Sequence, residues 1–244
     1  MNIAGNTILI TGGSSGIGLS LAQKLLESGN KVIITGRDKN KLAAIQQKNP
    51  GLHICAGDLA GNNGIGELVE HIRQKHPDLN VLINNAGVQF NYTFITEQEL
   101  TGKIDYEILS NLAAPIKLTN QLLSLLLTQR NAAIVNVSSA LCLAPKKSAA
   151  VYCATKAGIH SYSKALRFQL EGTPVKVFEV IPPLVDTPMT DGRGKAKMSS
   201  DEVAVHIIRS LSADRYEAYI GKSKLLRLIN RIMPSLAERI MKNG

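Results

Sequence analysis

Tryptophan is absent from the 244 residues, and only 4% of them are aromatic. Surfaces that hold single-stranded nucleic acid interleave cations with stacking rings. The cations here have no such interleaving, so no nucleic-acid partner is expected. Cysteine is scarce: Cys55, Cys142 and Cys153 are odd in number and lack C-x-x-C spacing, which speaks against a disulfide framework and a cysteine zinc site. His53, His71, His76, His160 and His206 are dispersed, with no pair at ligand spacing beside a carboxylate, so no metal is expected. The longest leucine-rich run, residues 122–127, is far too short to span a membrane. Residues 1–6 lack the basic-then-apolar pattern of a secretory signal, and a reducing cytoplasm is the simplest setting. Acidic residues are also short, 19 against 28 Lys and Arg, for a net charge of +9. That balance suits anionic partners such as phosphorylated cofactors, acidic substrates or a membrane surface, or simply a solvated basic surface.

What remains is long enough to bury a substantial core without staples. A hydrophobic fraction of 44% with 20 glycines fits a globular α/β protein. No repeat, low-complexity tract or linker interrupts the chain, so residues 1–244 are read as one domain. Residues 7–11 (TILIT) form a short apolar run of the kind buried in a parallel sheet. The run leads into Gly12-Gly13-Ser14-Ser15-Gly16-Ile17-Gly18, and Leu19, Leu21, Ala22, Leu25 and Leu26 then recur at helical spacing. Strand, glycine turn and helix in succession let backbone N–H groups approach a pyrophosphate at a helix N-terminus.

Further strands are predicted at 31–35, 52–56, 81–83, 132–137, 175–181 and 217–221, with helices between them. The second ends in Gly36-Arg37-Asp38. Glycine stands where an acid would bind the adenosine ribose, and Arg37 follows, favouring the 2′-phosphate of NADP over NAD. Asp38 is read as a helix N-cap. Asp58 and Leu59, past the third strand, are placed at the adenine edge, with helix capping as the other role for Asp58. Asn84-Asn85-Ala86-Gly87 ends the fourth strand with residues small enough for a flat cofactor. Pro115 is expected to kink or divide the helical region 107–129, and Asn111 before it reads as a local hydrogen-bonder. Ser138 and Ser139 end the fifth strand. In the helical region 150–170, Tyr152 and Lys156 stand one turn apart, where an ammonium would lower the phenol's pKa.

Thr11-Gly12-x-x-x-Gly16-Ile17-Gly18, Asn84-Asn85-Ala86-Gly87, Ser139 and Tyr152-x-x-x-Lys156 together resemble the short-chain dehydrogenase/reductases, each beside the appropriate strand or helix. The stretches 151–156 and 182–187 are similar to the bacterial DltE-like oxidoreductases, encoded beside teichoic-acid D-alanylation genes. The resemblance implies a Rossmann-type, doubly wound parallel sheet in the order 3-2-1-4-5-6-7 with helices on both faces. It implies a catalytic set of Asn111, Ser139, Tyr152 and Lys156, the serine being the one 13 positions before the tyrosine. It further implies that Gly12, Ser14, Ser15, Gly16, Ile17, Gly18, Arg37, Asp58, Leu59, Asn85, Ala86, Gly87, Tyr152, Lys156, Pro182, Val185 and Thr187 bind NADP(H), with NAD as the alternative. The family's Pro-Gly is Pro182-Pro183 here, which predicts a stiffer pocket wall.

The expected activity is NADP(H)-dependent hydride transfer to or from a small carbonyl or alcohol substrate by a homodimer or homotetramer. Residues 188–200 form the expected substrate loop, with 191–200 its mobile part. A cofactor-binding sensor or scaffold is the competing reading, and a membrane-surface reductase of a lipid or cell-envelope precursor is the third. The third rests on the basic segment 222–244, where Leu225, Ile229, Ile232, Leu236 and Ile240 are predicted to share one helical face. Packing or a lid role for that segment ranks above membrane contact.

Overall fold

Buried parallel strands must be apolar on both sides, and the continuous runs of this chain meet that requirement. In the computed structural model, which describes residues 1–61 and 63–243, seven of them lie side by side in one sheet. They are β1 (Thr7–Thr11), β2 (Lys31–Gly36), β3 (Leu52–Ala56), β4 (Val81–Asn84), β5 (Ala132–Val137), β6 (Val175–Ile181) and β9 (Glu217–Tyr219). The order is 3-2-1-4-5-6-9, all parallel. This is the expected doubly wound order. The seventh sheet strand is ninth in the chain because two short strands, β7 (Val185–Asp186) and β8 (Met198–Ser199), pair separately.

Alternate side chains go to opposite faces, and each face has its own core. Ile8, Ile10, Val32, Ile34 and Val135 meet α1 (Gly16–Glu27), α2 (Lys39–Lys48) and, later in the chain, α7 (Ser200–Ser212) on one side. Leu9, Ile33, Leu82 and Ile134 meet α3 (Gly64–Lys75), α5 (Ala114–Leu127) and α6 (Ala150–Gln169) on the other. Asp38 caps α2 by accepting from the Lys41 N–H at 2.9 Å, as expected.

The region 107–129, expected to be kinked or divided by Pro115, is part of a longer rod. Residues 92–100 hold no helix; α4 (Thr101–Ile108) follows. It passes through a π turn (Leu109–Ala113) into α5 with no gap. The turn widens the backbone where the proline has no N–H to donate, so Pro115 is accommodated near the start of α5 without division. The segment expected to be mobile, 191–200, is pinned at its stem by Val185 against Met198 and Asp186 against Ser199. A capping box between Ser199 and Glu202 then starts α7.

The C-terminal segment, described as far as residue 243, divides at Met233 into α8 (Lys222–Ile232) and α9 (Pro234–Met241). Leu226, Ile229, Ala237 and Met241 pack on Ala140, Leu143 and Ala144. Leu225, Ile232 and Ile240, predicted to lie on one face with Ile229, are exposed instead. The inner face of α8 is centred on Ser223 and Leu226, one residue away from the predicted line, and the break at Met233 then reorients α9. Among the described residues no helix is long and apolar enough to cross a membrane.

Candidate active site

The carboxyl ends of the strands open into a cleft of about 460 Å³. At its floor the tips of β1 and β4 are stitched together. Thr11 Oγ1 accepts from the Asn85 and Ala86 N–H groups, each at 3.0 Å, and Asn85 Nδ2 donates to the Thr11 carbonyl at 2.9 Å. Asn85 therefore spends its amide on the scaffold while its neighbours face the cleft. Gly12 has φ +66, and a Cβ there would meet Ala86 Cα at 2.8 Å; at Gly16, φ +53, it would meet Thr187 Cγ2 at 2.8 Å. Both demand glycine. Ser15 begins α1 without a side-chain cap bond, and the first turn has no acid. Its N–H groups are left for an outside anion. Gly18 does not line the cleft; a side chain there would collide with the Gly12 carbonyl.

At one end of the cleft Arg37 donates to the Tyr106 hydroxyl at 2.6 Å, and that hydroxyl lies 3.0 and 3.1 Å from the Asp58 oxygens. Asp58 also accepts from the Ala60 N–H. Its carboxylate lines the cleft with acceptor sites left over, and it does not cap α3, whose N-cap is Asn63. Tyr106 was invisible in the sequence, since nothing in its local pattern marks it. Leu59 lines the same end.

At the other end stand Ser139, Tyr152 and Lys156, together with Pro182, Val185 and Thr187. Ser139 Oγ accepts from the Leu141 N–H at 3.2 Å, capping a 3-10 turn, which leaves its own proton to donate into the cleft. Lys156 Nζ donates to the Val137 carbonyl at 2.8 Å and sits 5.6 Å from the Tyr152 ring centroid. Gly87 closes over this point: a Cβ there would lie 3.2 Å from Asn111 Oδ1 and 3.7 Å from Lys156 Nζ. Asn111 itself is 1% exposed and does not line the cleft. From within the π turn its amide accepts from the Val88 N–H and donates to the Val88 carbonyl, both at 2.8 Å, and reaches Thr155 Oγ1 at 3.3 Å.

The electrostatics differ from the expectation for the Tyr–Lys pair. Burial pushes the Tyr152 phenol up to about 12, against the pull of the Ser139 hydroxyl. Burial brings Lys156 down to about 8, with the Cys142 and Glu179 charges opposing. The ammonium, directed at the Val137 carbonyl, does not offset the loss of water around the phenol. Behind Lys156, His160 Nδ1 lies 2.8 Å from Glu179, and the donor atoms of Cys142, His160 and Glu179 fall within 4.8 Å of one another. Sequence spacing did not join these three, since they come from α6, β6 and the 3-10 turn.

Known proteins share this architecture. A family model described as short chain dehydrogenase matches residues 6–198. An uncharacterized oxidoreductase of Bacillus subtilis, DltE, is 42% identical over 219 residues, covering 90% of this chain and 84% of the relative. A short chain dehydrogenase from Burkholderia cenocepacia in complex with NADP superposes with a TM-score of 0.88 at 22% identity, covering all of both chains. One from Burkholderia phymatum in complex with NAD gives 0.86 at 19% identity, covering 100% of this chain and 97% of the other.

Proposed function

Because the chain belongs to the short-chain dehydrogenase family, we propose that it is an NADP(H)-dependent oxidoreductase moving hydride between nicotinamide and a carbonyl or alcohol carbon. The observation that carries the reading is convergence. Ser139, Tyr152 and Lys156 line one end of a cleft whose floor is the glycine turn and whose far end holds Arg37. Gly12, Ser14, Ser15, Gly16 and Ile17 would hold the pyrophosphate at the start of α1. Arg37 would take a 2′-phosphate, which supports NADP over NAD; the solved structures named above bind one or the other.

When bound, the cofactor supplies the hydride that reaches the carbonyl carbon. Tyr152 gives its phenolic proton to the carbonyl oxygen as the C=O π bond opens, so that one C–H and one O–H bond form. Ser139 donates a hydrogen bond to the same oxygen. Lys156 spends one donor on Val137 and retains two for ribose hydroxyls. Asn111 acts through Val88, which it grips at both backbone groups, and is a positioning residue. In a Tyr152→Phe variant, carbonyl reduction should fall by at least about 100-fold with the Kd for NADPH unchanged. Normal turnover in that variant would sink the assignment. A wild type that binds NADPH tightly yet reduces nothing across a carbonyl panel would instead be a sensor.

A specific feature favours work at a membrane surface as a second reading. Leu225, Leu228, Ile232 and Met233 are 54–67% exposed on α8 and just beyond it. Around them stand Lys222, Lys224, Arg227, Arg231, Arg239 and Lys242, with Glu238 the one acid in residues 222–243. An apolar strip edged by cations suits an anionic bilayer, and Met241 from the adjoining α9 lines the cleft. The protein should sediment with phosphatidylglycerol vesicles at low salt, and a Leu225→Ser/Leu228→Ser/Ile232→Ser variant should not. Equal sedimentation of the two removes this reading.

A further inference from the structure

Arg193 follows the short 3-10 turn Pro188–Thr190 and is anchored there, its N–H donating to the Thr190 carbonyl at 3.1 Å. Its Nη2 donates to the Gln89 carbonyl at 3.4 Å across the cleft, which fixes the plane of the guanidinium. Its Nη1 is shut off from solvent and has no hydrogen-bond partner among the described residues. Buried donors are nearly always satisfied, and one left unmade costs stability. No carboxylate comes within ion-pair distance of Arg193 among those residues. Asp191 accepts from the Gly192 N–H, Asp186 faces Lys197, and Glu107 is held by the Phe90 N–H and Tyr92 hydroxyl.

The charge of the surrounding wall has one sign. Lys146, Lys156 and Arg193 line this end, while Asp58, the one carboxylate lining the cleft among the described residues, belongs to the Tyr106 cluster at the far end. Arg193 and Tyr152 line the same cleft, so a group seated on the guanidinium shares the pocket with the reacting oxygen. Leu141, Leu184, Met189 and Met241 supply the remaining apolar wall.

We propose that the substrate carries an anionic oxygen group, a carboxylate or a phosphate, that Arg193 holds near the reacting carbonyl, with a short apolar body against the leucine and methionine wall. The inference rests on the oxidoreductase reading and narrows its substrate class to oxo acids or keto phosphates. A guanidinium fork matches either anion in two-point geometry, and Arg193 Nη1 is the donor the protein leaves over.

The test compares wild type with Arg193→Gln and Arg193→Lys. The probes are NADPH with 2-, 3- and 5-oxohexanoate, the methyl esters of these acids, and dihydroxyacetone phosphate. Wild type should reduce at least one anion with kcat/KM tenfold or more above that of its neutral counterpart. Arg193→Gln should lose roughly 100-fold on that anion and less than threefold on the ester, with Arg193→Lys between. The ratio of acid to keto phosphate separates the two anion classes. Esters handled as well as acids by wild type, or equal losses on both in Arg193→Gln, would overturn the inference and leave the oxidoreductase reading intact. A large loss of NADPH affinity in Arg193→Gln would also overturn it, assigning Arg193 to the cofactor. Calorimetry with the NADP⁺-loaded proteins covers a silent panel. Anion binding that vanishes in Arg193→Gln without turnover in either protein keeps the site and strikes down the oxidoreductase reading. No binding of acid or phosphate to wild type strikes down the site.

Discussion

Lys156 is an ammonium taken almost fully out of water, bonded to one backbone carbonyl and lacking a carboxylate within ion-pair distance among the described residues. Its pKa falls from the ordinary 10.5 to about 8 because burial penalises the charge. Between those values the unfolded chain binds the proton more tightly, so this residue's contribution to stability rises as pH climbs from 8 toward 10.5. Below pH 8 its full cost is present. Replacing Lys156 by Met should therefore stabilise the protein at pH 7 by about 1–3 kcal/mol while abolishing turnover, with the gain shrinking toward pH 10. Urea unfolding of both proteins at the two pH values checks this. A less stable Met variant at pH 7 would refute the cost assigned to the lysine. At this scale the sequence was readable where placement depends on separation along the chain, as with Tyr152, Lys156 and Ser139, which line one cleft. It was unreadable where a role depends on depth or on distant segments meeting. The direction of the Tyr152 shift is set by burial, and Tyr106, Arg193 and the His160–Glu179 contact carry no local signature.

Strands and most helices were legible because apolar runs and 3.6-residue spacing report burial directly. The π turn was not, since one extra residue in a helical turn leaves the composition unchanged, and Pro115 read as a kink or a division. Strands β7 and β8, two residues each, are too short for any alternation to register. The π turn nevertheless places Asn111 against Val88. Asn111→Ala would leave the Val88 N–H and carbonyl unpaired, which should cost about 1–3 kcal/mol and lower Tm by roughly 2–12 °C. It should also raise KM for the carbonyl substrate more than the Kd for NADPH, because Val88 lines the cleft beyond Gly87. Thermal unfolding and steady-state kinetics on the same preparation separate the two effects. An unchanged KM with a lowered Tm would confine Asn111 to packing.

For the molecule as a whole, strand order came from family likeness, while alternate burial on two faces was implicit in the strands themselves. The rod formed by α4, the π turn and α5 adds a property that no single strand or helix has. It touches the Arg37–Asp58 pair through Tyr106, the loop after β4 through Glu107 and Asn111, and the Thr155 hydroxyl next to Lys156 through Asn111. One rigid element thus contacts both ends of the cleft, so a change at the coenzyme end is expected to disturb the rate as well. A Tyr106→Phe change, which frees Arg37 and Asp58 from their shared hydroxyl, should alter the NADPH-to-NADH preference and kcat together. Were the preference to move with kcat constant for both coenzymes, the two ends would be independent modules, and coenzyme specificity could be redesigned here without any penalty in rate.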